Sequence, residues 1–342
     1  MINKIVNNKK FFNIFLVVFV VIVLLAVSYF IWQSFDHKIS WKKFVTPPVV
    51  FYSSLDGLPV SSTQKVSSTV VGIMIDNHPY ARPQSGLLSA KIVYEALVEG
   101  GITRYFAIFD SEQNVEKVGP VRSARSYFID WLQEYGGLYM HCGGSPEALD
   151  RLRKESIFDL NEMFRGAYFW RDDNKFAPHN LFTNSENWNK ALLAFPEDKN
   201  IFNNTWQFGE LSSSSLEMVK NISIEYSSDY AVGWQYDENL KNYGRYINGA
   251  VEQENQINLT ADSVVIQYVK SRVIDDYGRR EITTDGQGDL RLLRDGVMAR
   301  GIWKKENGRT RFYDNAGQEL NLKAGKIWVQ VVPLDTEIKI TA

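Results

Sequence analysis

The sequence predicts an α+β protein: an N-terminal transmembrane helix, a mixed α/β layered-sandwich domain, and a β-rich C-terminal domain. Three observations predict it. Residues 11–32 form a 22-residue apolar run whose clearly polar members are Asn13 and Ser28. Between residues 70 and 200, short apolar runs alternate with segments of helical spacing. From about Ile222 onward, short apolar runs alternate with turn signals such as Asn248-Gly249, Asp295-Gly296 and Asn307-Gly308.

Each element follows in chain order. Residues 1–10 form a basic head with Lys4, Lys9 and Lys10. The run from Phe11 to Trp32 is long enough, at about 1.5 Å per residue, to cross a hydrocarbon layer about 30 Å thick. It is longer than the core of a cleavable signal and ends in Tyr29, Phe30 and Trp32, which suits an interfacial aromatic belt. No cysteine lies near its end, so anchoring through a lipid-modified cysteine is not expected. Lys38, Lys42 and Lys43 follow the run and Asp36 offsets them, so the head sets the orientation: N-terminus inside, main domain outside, in a single pass of the plasma membrane. Residues 33–69 read as a Pro/Ser-rich tether with short ordered pieces.

Residues 70–200 read as an α+β domain with a polar cleft. Val70–Ile75 is a buried strand. Ile92–Val98 and Ile102–Phe109 form a hairpin around Gly100-Gly101. Phe128, Ile129, Leu132 and Tyr135 place a helix over 125–135, and Leu138–His141 is a strand. Ser145, Pro146 and Glu147 open a helix as N-cap, first position and early acid, and residues 187–195 supply another. Four serines at 212–215 mark a linker over 201–221 before a β-rich domain at 222–342.

Composition narrows the function. The formal charge is −2, and residues 1–43 hold six of the 38 basic residues and one of the 40 acidic ones. The remainder therefore carries about −7, which fits neither nucleic acid nor an electrostatic grip on anionic lipid. A single cysteine, Cys142, excludes an internal disulfide framework and a Cys-based zinc finger. The histidines show no H-x-H or H-x-x-x-H pair, so no metal and no cofactor is expected.

Four features carry candidate chemistry. Asp76 and His78 follow a strand and lead to Arg82, which suits a loop at the mouth of a cleft as well as an Asx turn facing solvent. Arg122 and Arg125 would share a face if one helix includes both, and with Arg82 and Arg104 they would clamp a carboxylate or phosphate. The alternative is ion pairing with Glu95, Glu99 or Asp130. His141, Gly143, Gly144 and Ser145 run from strand through a Gly turn into a helix, which suits an anion or simple capping by Ser145. Neighbouring strand residues point to opposite faces, so His141 and Cys142 are not expected to meet. His179 lies in Pro178-His179-Asn180, after Arg171-Asp172-Asp173. C-terminal aromatics such as Trp234, Trp303 and Trp328 suit sugar stacking, but at strand spacing they are more often core.

Long stretches resemble the YerB-like family of bacterial envelope proteins. They include GIMIDNHPYARPQSG from Gly72, IVYEALVEGGITR from Ile92, VGPVRSARSYF from Val118 and HCGGSPEAL from His141. Others are VIQYVKSRVIDDYG from Val265, GIWKKENGRTRFYD from Gly301 and KIWVQVVP from Lys326. The resemblance implies a two-part domain outside the membrane and no assigned activity. Better-known members look like lipoproteins, and this chain departs by using a transmembrane helix. The order of strands, arginines, Gly-Gly and helix is also similar in layout to LytR-CpsA-Psr envelope enzymes, although Ile102-Thr103-Arg104 lacks their Asp.

The expectation is a membrane-anchored extracytoplasmic protein of the cell envelope. It would bind an anionic envelope glycan or phosphate ligand, or an envelope protein, through an Arg-rich cleft of Asp76, His78, Arg82, Glu95, Arg104, Arg122, Arg125, His141, Gly143, Gly144, Ser145 and His179. The alternative is a transferase or hydrolase acting on envelope glycans or polyprenyl-phosphate-linked substrates, with Asp76 or Glu95 as base and His141 or His179 as acid or base.

Overall fold

A computed structural model describes residues 2–36, 49–63, 66–67, 69–196, 205–211 and 216–341. The chain divides into two compact units, Met1–Val49 and Val50–Ala342. In the first, helix α1 covers Ile2–Asp36, so the expected span of residues 11–32 lies inside a longer helix. Its apolar stretch Phe12–Ser34 is exposed on every side, as for a helix whose solvent is lipid. Ser28 Oγ donates to Leu24 O at 2.7 Å, which satisfies the hydroxyl within the helix. Residues 37–48 of the expected tether lie outside the described residues.

The second unit begins with a short ladder, Phe51–Tyr52 against Pro59–Val60, with Leu55 buried. Strand β1 (Val70–Asp76), β2 (Ile92–Leu97) and β3 (Thr103–Asp110) follow. The β2–β3 hairpin turns at Gly100 and Gly101, whose φ values of 69° and 71° suit glycine. Helix α2 (Ser126–Gln133), β4 (Leu138–His141), α3 (Pro146–Lys154), β5 (Asp159–Asn161) and α4 (Ser185–Ala194) complete the N-terminal half. The C-terminal half supplies β6 (Leu216–Met218), β7 (Asn221–Ser227), β8 (Tyr230–Asp237), β9 (Asn242–Ile247), β10 (Ser263–Val269), β11 (Gln287–Arg294), β12 (Val297–Glu306), β13 (Arg309–Asp314), β14 (Ile327–Pro333) and β15 (Glu337–Thr341).

The two halves share one sheet. Its order is β6-β12-β11-β10-β14-β2-β3-β1-β4-β5, with β13 paired to β12. Strand β14 runs parallel to both β10 and β2, with Glu95 opposite Gln330. The physical reason lies in β2: all six of its residues are buried, so both faces must be covered and both edges paired. A second sheet, with β9, β8, β7 and β15 in order, covers one face. There Trp234 and Trp328 pack edge-on at 5.3 Å. On the other face α2 lays Trp131 flat on Tyr94 at 5.1 Å.

Part of the expected linker is core. Trp206 is buried and its Nε1 donates to Thr310 O at 2.8 Å, and residues 216–218 pair with β12. A Ser-rich composition does not reveal that flanking residues return to the sheet. Residues 201–204 and 212–215 lie outside the described residues. The C-terminal tryptophans 234, 303 and 328 are core, as their strand spacing favours.

Candidate functional site

Strand β1 ends at Asp76, and alternation sends Asp76 and Asn77 to opposite faces of the sheet. Asp76 stands opposite Arg104 in the β1–β3 register. The chain at 118–125 is stitched alongside: Val121 bridges Ile75, and Arg122 N–H donates to Met74 O at 2.9 Å. That places Arg122 Nε 2.9 Å from Asp76 Oδ2. A turn at 176–179 brings His179 Nδ1 to 2.7 Å from the same oxygen. Asp76 Oδ1 accepts the His78 backbone N–H at 3.0 Å.

Burial alone would raise the Asp76 pKa, but Arg122, the His78 N–H, His179 and Arg104 together hold it below the usual carboxylate value. The His78 ring stacks on His179 at 4.7 Å, and its Nδ1 accepts the Tyr80 N–H at 3.2 Å. Burial first, then the neighbouring His179, pushes the His78 pKa down. Arg104 is buried, donates through Nη1 to Ser123 O at 2.7 Å, and has its pKa lowered to about 10, chiefly by burial and then by Arg125.

On the opposite face, buried Asn77 organises a second group. Its Nδ2 donates to Thr103 Oγ1 at 2.7 Å and to Tyr230 OH at 2.6 Å. Its Oδ1 accepts from Arg82 Nε at 3.1 Å and Gln84 Nε2 at 3.0 Å, and its carbonyl accepts from Arg82 Nη2 at 3.0 Å. Arg82 is thereby fixed over the Tyr230 ring at 5.2 Å. A groove of about 690 Å³ opens beside these residues, between the 80–83 loop and the 174–179 loop. Lys175 Nζ ties its two walls by donating to Ala81 O at 2.7 Å and Pro83 O at 2.9 Å.

The structure thus brings Asp76, His78, Arg122 and His179 together, with Arg104 and Arg82 adjoining. The other candidates are placed differently. Glu95 lies in the core, where it accepts from Tyr230 OH at 2.6 Å, Thr103 Oγ1 at 2.7 Å and Arg245 Nη2 at 2.9 Å. A buried carboxylate needs such partners, and one so engaged faces no cleft. Arg125 does not share a helical face with Arg122, because α2 starts at Ser126. It pairs instead with Glu99 at 2.6 Å, the ion-pair alternative.

His141 is buried, with Nδ1 2.7 Å from Gly143 O and Nε2 3.0 Å from Asp159 Oδ2, so both ring nitrogens are engaged. Gly143 N–H donates to Asn161 Oδ1 at 2.9 Å, and Gly144 bridges Ala124. Ser145 Oγ accepts the Ala148 N–H at 3.2 Å, so this turn caps α3. Cys142 Sγ donates to Glu162 Oε2 at 3.3 Å. Burial first, and then that carboxylate, pushes the thiol up to about 11. Among the described residues, no group of three or more His, Cys, Asp or Glu is arranged to hold a metal ion.

Sequence reasoning missed Asn77, Tyr80, Lys175 and Phe176. The available signal was an aromatic residue set among prolines in each of two polar loops, Pro79-Tyr80 and Phe176-Ala177-Pro178.

Comparisons with known proteins agree with this architecture. Residues 55–197 match the protein of unknown function (DUF3048) N-terminal domain, and residues 222–329 match its C-terminal domain. The chain is 33% identical over 281 residues to "Putative lipoprotein YerB" of Bacillus subtilis (strain 168), covering 80% of this chain and 84% of that protein. The crystal structure of the YerB protein from Bacillus subtilis is similar at a TM-score of 0.76 and 32% identity, over 84% of this chain and 99% of that one. A relative named as a lipoprotein and an N-terminal helix apolar enough to cross a membrane together fit a membrane-anchored envelope protein.

Proposed function

This chain belongs to the DUF3048 family, and from that premise we propose that it is a single-pass plasma-membrane protein, N-terminus inside, whose outer domain binds an anionic envelope ligand beside Asp76. The observation that supports the reading is the saturation of Asp76. Both of its oxygens are engaged, by the His78 N–H, His179 and Arg122. The acid of the cluster therefore positions its neighbours. What faces outward is cationic: Arg122, whose side chain is 27% exposed, with Arg82 and Lys175 nearby.

The test is a thermal-shift screen of the chain with muropeptides, teichoic-type polyphosphates, soluble polyprenyl-pyrophosphate analogues and divalent metals. A ligand at 100 times its dissociation constant adds about 2.7 kcal/mol. The reading expects a shift with an anionic compound that is lost in Arg122→Ala and reduced in Arg82→Gln. No shift with any compound would move the function to a protein partner. Protease treatment of intact protoplasts tests the topology, since an outer domain is removed and an inner one survives.

One observation favours a second reading, an enzyme. Asp76 orients His179 through Nδ1, the arrangement that prepares the other ring nitrogen for proton transfer. Turnover of lipid-linked pyrophosphate glycans that vanishes in His179→Ala would establish it, and its absence would leave binding alone.

A further inference from the structure

Two large rings stand out into solvent at the mouth of the groove. Tyr80 is 80% exposed and Phe176 is 91% exposed. Apolar surface of this kind is stabilised by being covered. Neither ring is on a featureless stretch of loop. Tyr80 sits in the turn Pro79–Ala81, whose cap is the His78 ring, and its own ring lies 5.2 Å from His78 and 6.3 Å from His179. Phe176 lies in the tight turn whose carbonyl accepts the His179 N–H at 2.9 Å, next to Lys175, which binds the facing loop.

Between the rings the groove offers donors. Arg82 uses Nε and Nη2 on Asn77, and its Nη1 makes no hydrogen bond among the described residues. Lys175 and Asn174 line the same space. At about 690 Å³ the groove falls in the usual range for small-molecule sites, about 300–1,000 Å³.

We infer that the groove takes an acidic saccharide: its sugar ring lies against Tyr80 and Phe176, and its carboxylate or phosphate pairs with Arg82. The inference rests on the anionic-ligand reading and narrows it. A bare phosphate or carboxylate would use the cation and leave both rings uncovered. A fatty acid would cover the rings and pair with Arg82, but its chain would lie against the polar lining at Asn174 and Lys175 and offer it no partner, which is costly. A sugar ring has an apolar C–H face and a hydroxyl rim, so it satisfies rings and donors together. The acid on it supplies the counter-charge.

The test is isothermal titration calorimetry on the full chain in detergent at low salt. The probes are N-acetylmuramic acid and oligogalacturonate for the carboxylate, glucose 6-phosphate for the phosphate, methyl glucoside as neutral sugar, acetate and inorganic phosphate as bare anions, and octanoate as an acyl acid. The inference expects at least one acidic sugar to bind at least tenfold more tightly than methyl glucoside, acetate, phosphate or octanoate. Tyr80→Ala, Phe176→Ala and Arg82→Gln should each weaken it about fivefold or more, with an unchanged thermal midpoint for the two ring variants.

Binding of acetate or phosphate as tight as that of any sugar acid, and indifferent to Tyr80 and Phe176, would overturn the saccharide and leave the anionic reading standing. Equal binding of methyl glucoside would overturn both. Preference for octanoate would overturn the saccharide in favour of an acyl ligand. Silence of every probe would also overturn the saccharide, and the polyphosphate arm of the thermal-shift screen would then decide the anionic reading alone.

Discussion

Asp76 and His179 are 103 positions apart in the chain, yet Nδ1 of the histidine lies 2.7 Å from Oδ2 of the aspartate. The contact joins the end of β1 to the 176–179 turn, and Arg122 shares the same carboxylate oxygen from a third segment. One buried acid therefore fixes three loops, and its removal should be felt in both stability and binding.

Asp76→Asn keeps the shape and removes the charge. It leaves Arg122 without its counter-ion and removes one of the two carboxylates that act on buried Arg104, a loss that costs about 3 kcal/mol. At about 2 °C per kcal/mol for a domain of this size, the melting midpoint should fall by about 6 °C. Differential scanning calorimetry measures it, and an unchanged midpoint would mean that the cluster is not held by this charge.

Acid should lower stability in two stages. The His78 pKa is depressed below its ordinary 6.5 by burial and by His179, so the unfolded chain takes up its proton first. Stability from this group is full above about pH 6.5 and falls as pH drops from there towards the lower folded-state value. The Asp76 pKa is depressed below its ordinary 3.8, so its contribution is full above that value and lost on further acidification. Urea midpoints measured from pH 8 to pH 3 should show both limbs. His78→Gln should remove the upper one and Asp76→Asn should flatten the lower one.

Cys142 should be a poor nucleophile. With its thiol held up at about 11 by burial and by Glu162, very little thiolate exists near pH 7. Alkylation by iodoacetamide, followed by mass spectrometry, should be slow at neutral pH and rise steeply above pH 9. Glu162→Gln should accelerate it at pH 8, because the carboxylate that disfavours the thiolate is gone.

Glu95 should matter for folding and not for ligand contact. It sits in the core with Arg245, which also binds Glu252 at 2.5 Å. Glu95→Ala leaves Arg245 with Glu252 alone and removes the buried acceptor of Thr103, Tyr230, Trp328 and Gln330, and should cost about 3–5 kcal/mol. Where the variant remains folded, affinity in the groove should change less than threefold. A folded Glu95→Ala protein with abolished binding would instead show that the chain from Glu95 through Tyr230 and Asn77 positions Arg82.

Trp206→Ala should destabilise by about 3–5 kcal/mol, the cost of emptying a buried indole site. A true linker residue would tolerate the change within about 0.5 kcal/mol. Chemical denaturation separates the two outcomes.

The local elements were written in the order of the residues. The apolar run of α1, the strand β1, the Gly100-Gly101 hairpin and the Ser145 cap were all legible, because each depends on residues within a few positions of one another. The Asn307-Gly308 turn of the β12–β13 hairpin was legible for the same reason, since both residues take positive φ. The sequence also named Asp76, His78, Arg122 and His179, although it set them beside Glu95 and His141, which the fold buries with other partners.

Which of these residues meet depends on the long-range pairing of the strands. Strand β14 inserts beside β2 and makes one sheet of the two halves. This pairing sends Glu95 to Arg245 and lets Tyr230 hold Asn77 beneath Arg82. Such contacts cross more than a hundred residues, and each is chosen by the need to pair every buried strand edge and every buried charge. That requirement has no local signature. The sequence therefore carries the polar residues, and the joining of the two halves in one sheet sets which of them meet.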